Sequence, residues 1–170
     1  MVMASSETTE MRIAVTCQRF PAYSRNQAVL LGLVKHIYKR VHTNCNRFLR
    51  RFGLSYPEYD ILMMMYGTQD LSLTPTEVAE SSGEKPANVT RLTNSLCEKG
   101  LIRRSIHQND RRKVTLTLEP AALELLDKAL PEACVQMEAQ VSNLSERENQ
   151  ELEYLLKKML EVIDNSTDQQ

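Results

Sequence analysis

The chain has no tryptophan, and only five glycines and six prolines among 170 residues. So few turn formers argue against turn-rich all-β folds and glycine-rich nucleotide cradles, and favour helices. No apolar run approaches the roughly 18 residues a membrane span requires. Residues 1–10 lack the basic-then-apolar order of a signal peptide. The four cysteines (Cys17, Cys45, Cys97, Cys134) contain no CxxC pair, and the three histidines (His36, His42, His107) contain no HxxxH or HExxH pair. Spacing therefore supports neither a local metal site nor a local redox motif. Without an export signal, a cytoplasmic location with free thiols is expected. There is no nucleophile elbow, metal pair or phosphate loop, so neither an enzyme nor a cofactor is expected.

Net charge is also nearly absent, at −1. That near-zero value hides a division along the chain. Residues 1–84 carry 9 basic and 8 acidic side chains, residues 85–113 carry 8 and 2, and residues 114–170 carry 4 and 12. A block of +6 thus lies beside a region of −8. Such asymmetry is either a solvated face or a docking surface for a polyanion.

What is present is mostly helical periodicity. Residues 1–10 read as a frayed polar start, and residues 11–24 are ambiguous. From Val29 to Phe52 apolar residues recur at three- and four-residue steps, predicting a helix over 27–52 closed by Gly53. Ser55 and Glu58 have capping-box spacing for a following helix, whose body Tyr59 to Tyr66 is apolar nearly all round and should be buried. Its methionines suit core filling or a ligand-adaptive surface. Thr74, Pro75 and Glu77 mark another helix start, with Ser81-Ser82-Gly83 ending it at once. A helix from about Lys85 to Lys99 stops at Gly100. The one convincing β pattern is a hairpin, with strands over 101–106 and 114–118 joined by a polar loop, His107 to Arg112. Glu119-Pro120 opens a long helix interrupted by Pro131, which should bend it. Ser145 and Glu148 box a last helix, and residues 165–170 form a polar tail.

The order helix, tight turn, helix, hairpin occupies residues 74–118. Ala79, Gly83, Val89 and Leu92 have helix-turn-helix spacing: a small residue for close crossing, a turn glycine, and two anchors for the second helix. The opposite face carries Lys85, Asn88, Arg91, Asn94 and Ser95, flanked by Thr90. Short amides, hydroxyls and cations read base edges and grip phosphates in a major groove. The hairpin tip adds Asp110, Arg111, Arg112 and Lys113. Arginines on such a tip suit the negative minor groove, and Asp110 can orient a neighbouring guanidinium. Double-stranded DNA is the partner this pattern predicts. A winged helix that docks an acidic protein and has no operator of its own is the alternative.

Three segments carry a resemblance: Asn88-Val89-Thr90-Arg91-Leu92, Leu96-Cys97-Glu98-Lys99-Gly100-Leu101-Ile102, and Asn109-Asp110-Arg111-Arg112. With them, residues from about 27 to 163 resemble the MarR family of winged helix-turn-helix regulators. Phe20-Pro21-Ala22-Tyr23, the long N-terminal arm and Leu130-Pro131 resemble the multidrug-efflux repressor subgroup (MprA/EmrR-like). Two positions depart. Leu118-Glu119-Pro120 stands where the family has Leu-Thr, and Cys97 stands where an acidic residue is common.

The resemblance implies a mainly α fold with a small β-hairpin wing, forming a homodimer through its N- and C-terminal helices. The apolar stripes of 27–52, 120–141 and 146–164 exceed what a small winged helix can cover, which agrees with a partner chain. The implied organisation is an arm at 1–26, a dimerisation region at 27–52 and 120–164, a DNA-binding domain at 55–119, and a tail at 165–170. The implied function is a repressor of a pseudo-palindromic operator, released by a small aromatic or phenolic effector. Tyr38, Tyr59, Met63 and Met64 are candidates to line an effector crevice, or are plain core. Some relatives sense oxidants through a cysteine, for which Cys17 and Cys45 are candidates here.

Overall fold

The computed structural model describes residues 5–107 and 110–167, with side chains over 7–105 and 114–165. The elements run α1 (Ser5–Arg19), α2 (Arg25–Leu49), a 3-10 turn (Arg50–Phe52), α3 (Tyr56–Tyr66), β1 (Ser72–Leu73) and α4 (Pro75–Ser82). They continue with α5 (Pro86–Glu98), β2 (Ile102–His107), β3 (Asp110–Leu118), α6 (Pro120–Val141) and α7 (Glu146–Thr167). The chain divides into two compact units, Met1–Ala122 and Leu123–Gln170. Among the described residues no helix is long and apolar enough to cross a membrane.

The first unit is mostly helical, with one antiparallel sheet of order β1-β3-β2. Its core gathers apolar residues from α3, α4, α5 and the sheet: Ile61, Leu62, Met65, Val78, Val89, Leu92, Leu96 and Leu116 are all at most 1% exposed. Burying a side chain of this kind contributes roughly 1.5–3 kcal/mol. This set therefore fixes the relative placement of the three helices and the sheet.

The starts of α3 and α4 follow from their caps. The Thr74 amide and hydroxyl donate to Glu77 Oε2 at 2.7 and 2.8 Å, and the Glu77 amide returns a bond to Thr74 Oγ1 at 3.2 Å. These bonds satisfy donors that a helix start otherwise leaves open. Ser55 likewise donates from its amide and hydroxyl to Glu58 Oε2, each at 2.8 Å. After α4, Gly83 takes a left-handed conformation (φ 66°), and the chain turns at once into α5.

Several elements differ from the sequence reading. Residues 5–19, which take in parts of the polar start and of the ambiguous segment, form one helix, α1, which packs on α2. Arg25 donates to Glu10 at 2.9 Å, and Thr9 Oγ1 lies 2.7 Å from His36 Nε2. Apolar periodicity is weak over these residues because, among the described ones, only Ile13 is buried there. β1 was not foreseen. It is two residues long and exists by pairing Ser72 with Thr117 and Leu73 with Leu116. The hairpin strands run further than the alternation suggested, since the backbone of Asp110–Arg112 belongs to β3 rather than to a loop. A register shift between Ile106 and His107 accommodates the extension. The expected tail is shorter, as α7 runs to Thr167.

In the second unit, Leu126, Ala129 and Ala133 of α6 are buried, whereas Val135, Met137 and Val141 are 45–61% exposed. The apolar stripe expected along α6 is therefore covered as far as Ala133, just past Pro131 inside the helix, and open at Met137 and Val141. α7 opens on a cap in which Ser145 donates twice to Glu148, at 2.7 and 2.8 Å.

Candidate nucleic-acid interface

The face of α5 opposite its core stripe presents most of the residues singled out above. Lys85, Thr90, Arg91 and Asn94 are exposed, and Asn88 is half-buried. Two of them, Asn88 and Arg91, form a relay with Glu84 at its base. The Asn88 amide nitrogen donates to Glu84 Oε2 at 2.7 Å. The Asn88 carbonyl oxygen accepts from Arg91 Nε and Nη2 at 3.0 and 2.8 Å. Holding the guanidinium by one edge reduces the rotamer freedom it would otherwise lose on contact with a ligand. Glu84 was not among the sequence candidates. Its signal was the spacing of four residues to Asn88. Thr90 turns its hydroxyl back to the Pro86 carbonyl at 2.9 Å, leaving its methyl for the outer surface.

Ser95 stands apart from this set. It is half-buried, and its hydroxyl donates to Glu58 Oε1 at 2.7 Å. It is therefore part of an inward polar cluster rather than of the free face. The same oxygen accepts from Lys99 Nζ at 2.6 Å, and Lys99 also donates to the Gly53 carbonyl at 2.9 Å. Glu58 is only 5% exposed. Burial alone would raise its pKa. Donation from Lys99, Ser55 and Ser95 outweighs that and holds the carboxyl at about 2. The Glu58 carboxylate thus ties the start of α3 to the C-terminal end of α5, and Lys99 adds the carbonyl of Gly53 after the 3-10 turn.

The backbones of Asp110, Arg111, Arg112 and Lys113 lie in β3, at the far end of the hairpin from α5. Their side chains lie outside the described residues. Of the two arginines of β2, Arg103 pairs with Glu119 at 3.1 Å, and Arg104 donates to Thr93 of α5 at 3.0 Å.

The four effector candidates do not share one environment. Tyr38 is 65% exposed, and Tyr59, Met63 and Met64 are half-buried. The Tyr38 ring lies 6.0 Å from His42, which makes an edge contact at 5.4 Å with Tyr56. Asn46 joins this cluster, bonding His42 Nδ1 at 3.0 Å and accepting from the Tyr56 amide at 2.9 Å. His42, Asn46 and Tyr56 were missed because each is unremarkable alone. Between α1 and α2 a dent of about 10 Å³ is lined by Thr9, Ile13, Gly32 and His36, and by none of the four candidates. Cys17 and Cys45 are half-buried. Burial pushes the Cys45 thiol up, away from a reactive thiolate.

A tight helix pair, a buried anchor stripe, an outward polar face and a following hairpin together make this a winged helix-turn-helix. Comparison with known proteins agrees. The MarR family model matches residues 54–114. The chain is 30% identical over 112 residues to the transcriptional repressor YetL of Bacillus subtilis, covering 66% of this chain and 67% of that one. It is 26% identical over 155 residues to the transcriptional repressor MprA of Escherichia coli, covering 91% and 88%. The structure of the S. aureus MepR–DNA complex superposes with a TM-score of 0.71 at 25% identity, covering 76% and 95%. The chain belongs to the MarR family of transcriptional regulators.

Proposed function

We propose that this regulator is a homodimeric repressor that binds a pseudo-palindromic DNA operator. The observation that carries the reading is α5 itself. Val89, Leu92, Thr93 and Leu96 are at most 1% exposed, while Lys85, Thr90, Arg91 and Asn94 face solvent. A helix fixed so firmly on one side presents the other as a preset reading head. In this reading α5 enters the major groove, with Arg91 and Asn88 at base edges and Lys85 on phosphate. The arginines of the hairpin, Arg111 and Arg112, reach the adjoining minor groove with Lys113, and Asp110 orients them. Residues 55–119 serve as the DNA-binding domain. Residues 27–52 and 120–164 join two copies, the arm at 1–26 and the tail at 165–170 flank them, and the protein acts in the cytoplasm. Support comes from MepR, a relative in fold whose structure is a complex with DNA, and from relatives named as repressors.

A small aromatic or phenolic effector releases the operator in this reading. Tyr38, Tyr59, Met63 and Met64 are its candidate contacts, beside the His42–Tyr56 ring pair. Such an effector acts only through unequal affinity for the DNA-competent and released states. The test begins with selection of duplexes from a random pool by the wild-type chain. Enrichment of an inverted repeat with half-sites roughly one helical turn apart is expected. Salt-sensitive binding with no enriched sequence would point instead to a basic module for an acidic protein.

A further inference from the structure

Arg104 occupies a position where the sheet pattern calls for an apolar residue. Register pairs Ile102 with Leu118 and Arg104 with Leu116. Cross-strand partners share a face, and Ile102, Leu116 and Leu118 are all buried. Arg104 therefore starts from the core side of the sheet, yet it is exposed overall. A long side chain achieves both by laying its stem on the core and extending its head beyond it. The head reaches α5, where Nη2 donates to Thr93 Oγ1 at 3.0 Å.

Thr93 is the matching anomaly on the helix. It is 0% exposed, the one polar member of the stripe Val89, Leu92, Thr93, Leu96. A buried hydroxyl needs partners. Thr93 has two, donating to the Thr90 carbonyl at 3.2 Å and accepting from Arg104. Thr90 itself stands on the outward face. The wing sheet is thus wired, through one guanidinium and one hydroxyl, to the backbone of α5.

We infer that Arg104 is a positioning residue that sets the recognition helix against the wing, so that helix and hairpin engage two grooves in register. This rests on the DNA-binding reading above. It assigns Arg104 a role distinct from the outward arginines, acting through Thr93 rather than by contact with phosphate.

The experiment compares Arg104→Met, Thr93→Val and the double variant against the duplex that the wild-type chain enriches, and against a scrambled duplex. Each single variant should bind the enriched duplex roughly tenfold more weakly, the scale of one charge-assisted hydrogen bond. Binding to the scrambled duplex and the salt slope should not change. The double variant should lose no more than either single one. Thr93→Ser, which keeps the hydroxyl, should restore wild-type affinity.

Three results would overturn the inference: unchanged binding in Arg104→Met, additive losses in the double variant, or a salt slope lowered by about one in Arg104→Met alone, which marks a direct phosphate contact. Hydrogen exchange of the free protein decides independently of DNA. α5 amides should exchange faster in both single variants and not in Thr93→Ser, and equal protection throughout would end the proposal. A wild-type chain that enriches no sequence would remove the DNA reading, with the exchange result still judging the link.

Discussion

α5 and α7 are amphipathic helices with similar apolar periodicity, and their fates in the fold differ completely. The apolar stripe of α5 is at most 1% exposed, and its polar groups are wired to Glu84, Glu58 and Arg104. In α7, Leu152, Leu155, Leu156, Leu160 and Ile163 are 42–54% exposed. Periodicity therefore names the face of a helix and says nothing about what covers it. The first helix is finished within one chain. The second displays a run of leucines of the kind that usually marks an interaction surface, the same surface the proposed dimer would use.

The strongest way to break that contrast is to charge the open face. Leu156→Asp with Leu160→Asp should leave the first unit folded and turn the dimer into a monomer, read by sedimentation. Loss of the second recognition helix should weaken operator binding by about 100-fold or more. A variant that remains dimeric with unchanged affinity would mean that α7 is not the interface.

The closed helix can be opened from its polar side. Lys99→Met strips Glu58 of its cation and leaves a buried carboxylate on Ser55 and Ser95 alone. A stability loss of about 3 kcal/mol is expected, at the low end for a broken buried pair because Lys99 is partly solvated. Acid tests the same carboxylate. Its folded pKa, about 2, lies below the ordinary 4.5. The unfolded chain therefore binds the proton more tightly. The stabilisation is fully present above pH 4.5 and is lost as pH falls through 2, an effect on the order of 3 kcal/mol. Denaturant melts from pH 6 to 2 should show this loss in the wild type and a flatter profile in Glu58→Gln.

These two helices also divide what the sequence made legible. The caps at Ser55–Glu58, Thr74–Glu77 and Ser145–Glu148 were readable because both partners lie three residues apart. The turn at Gly83 and the stripe of α5 were readable for the same local reason. β1 was not, because two residues carry no period and their pairing partners lie far along the chain. Glu58 was read as a cap, and its second role was hidden because Ser95 and Lys99 are 37 and 41 residues away. The departure at Glu119 proved local, as this residue pairs with Arg103 and α6 still begins at Pro120. In the candidate site, the outward face was legible as residue types at helical spacing. The inward turn of Ser95 and the reach of Arg104 depend on tertiary placement that no local pattern encodes.

The hairpin offers a smaller effect that separates reading from folding. Arg112→Ala should reduce operator affinity by about 1–3 kcal/mol, the scale of a good arginine contact, with no change in melting temperature. Equal affinity in the folded variant would leave α5 as the reading element and remove the wing from the interface. Against Lys99→Met, which acts on stability, this variant shows whether the basic block divides into supporting and contacting cations.

The smallest predicted effect concerns the turn that delivers α5 to its position. Gly83 sits at φ 66°, where a Cβ meets its own backbone rather than a neighbour. A side chain built there has nothing within 4 Å. Gly83→Ala should therefore lose only backbone strain, roughly 1 kcal/mol, and should leave operator affinity at the wild-type value below its lowered melting transition. A larger loss of stability would mean that α4 and α5 cannot keep their crossing when the turn relaxes. A loss of affinity without loss of stability would mean that the turn, as well as the core stripe, sets the angle at which α5 is offered to DNA.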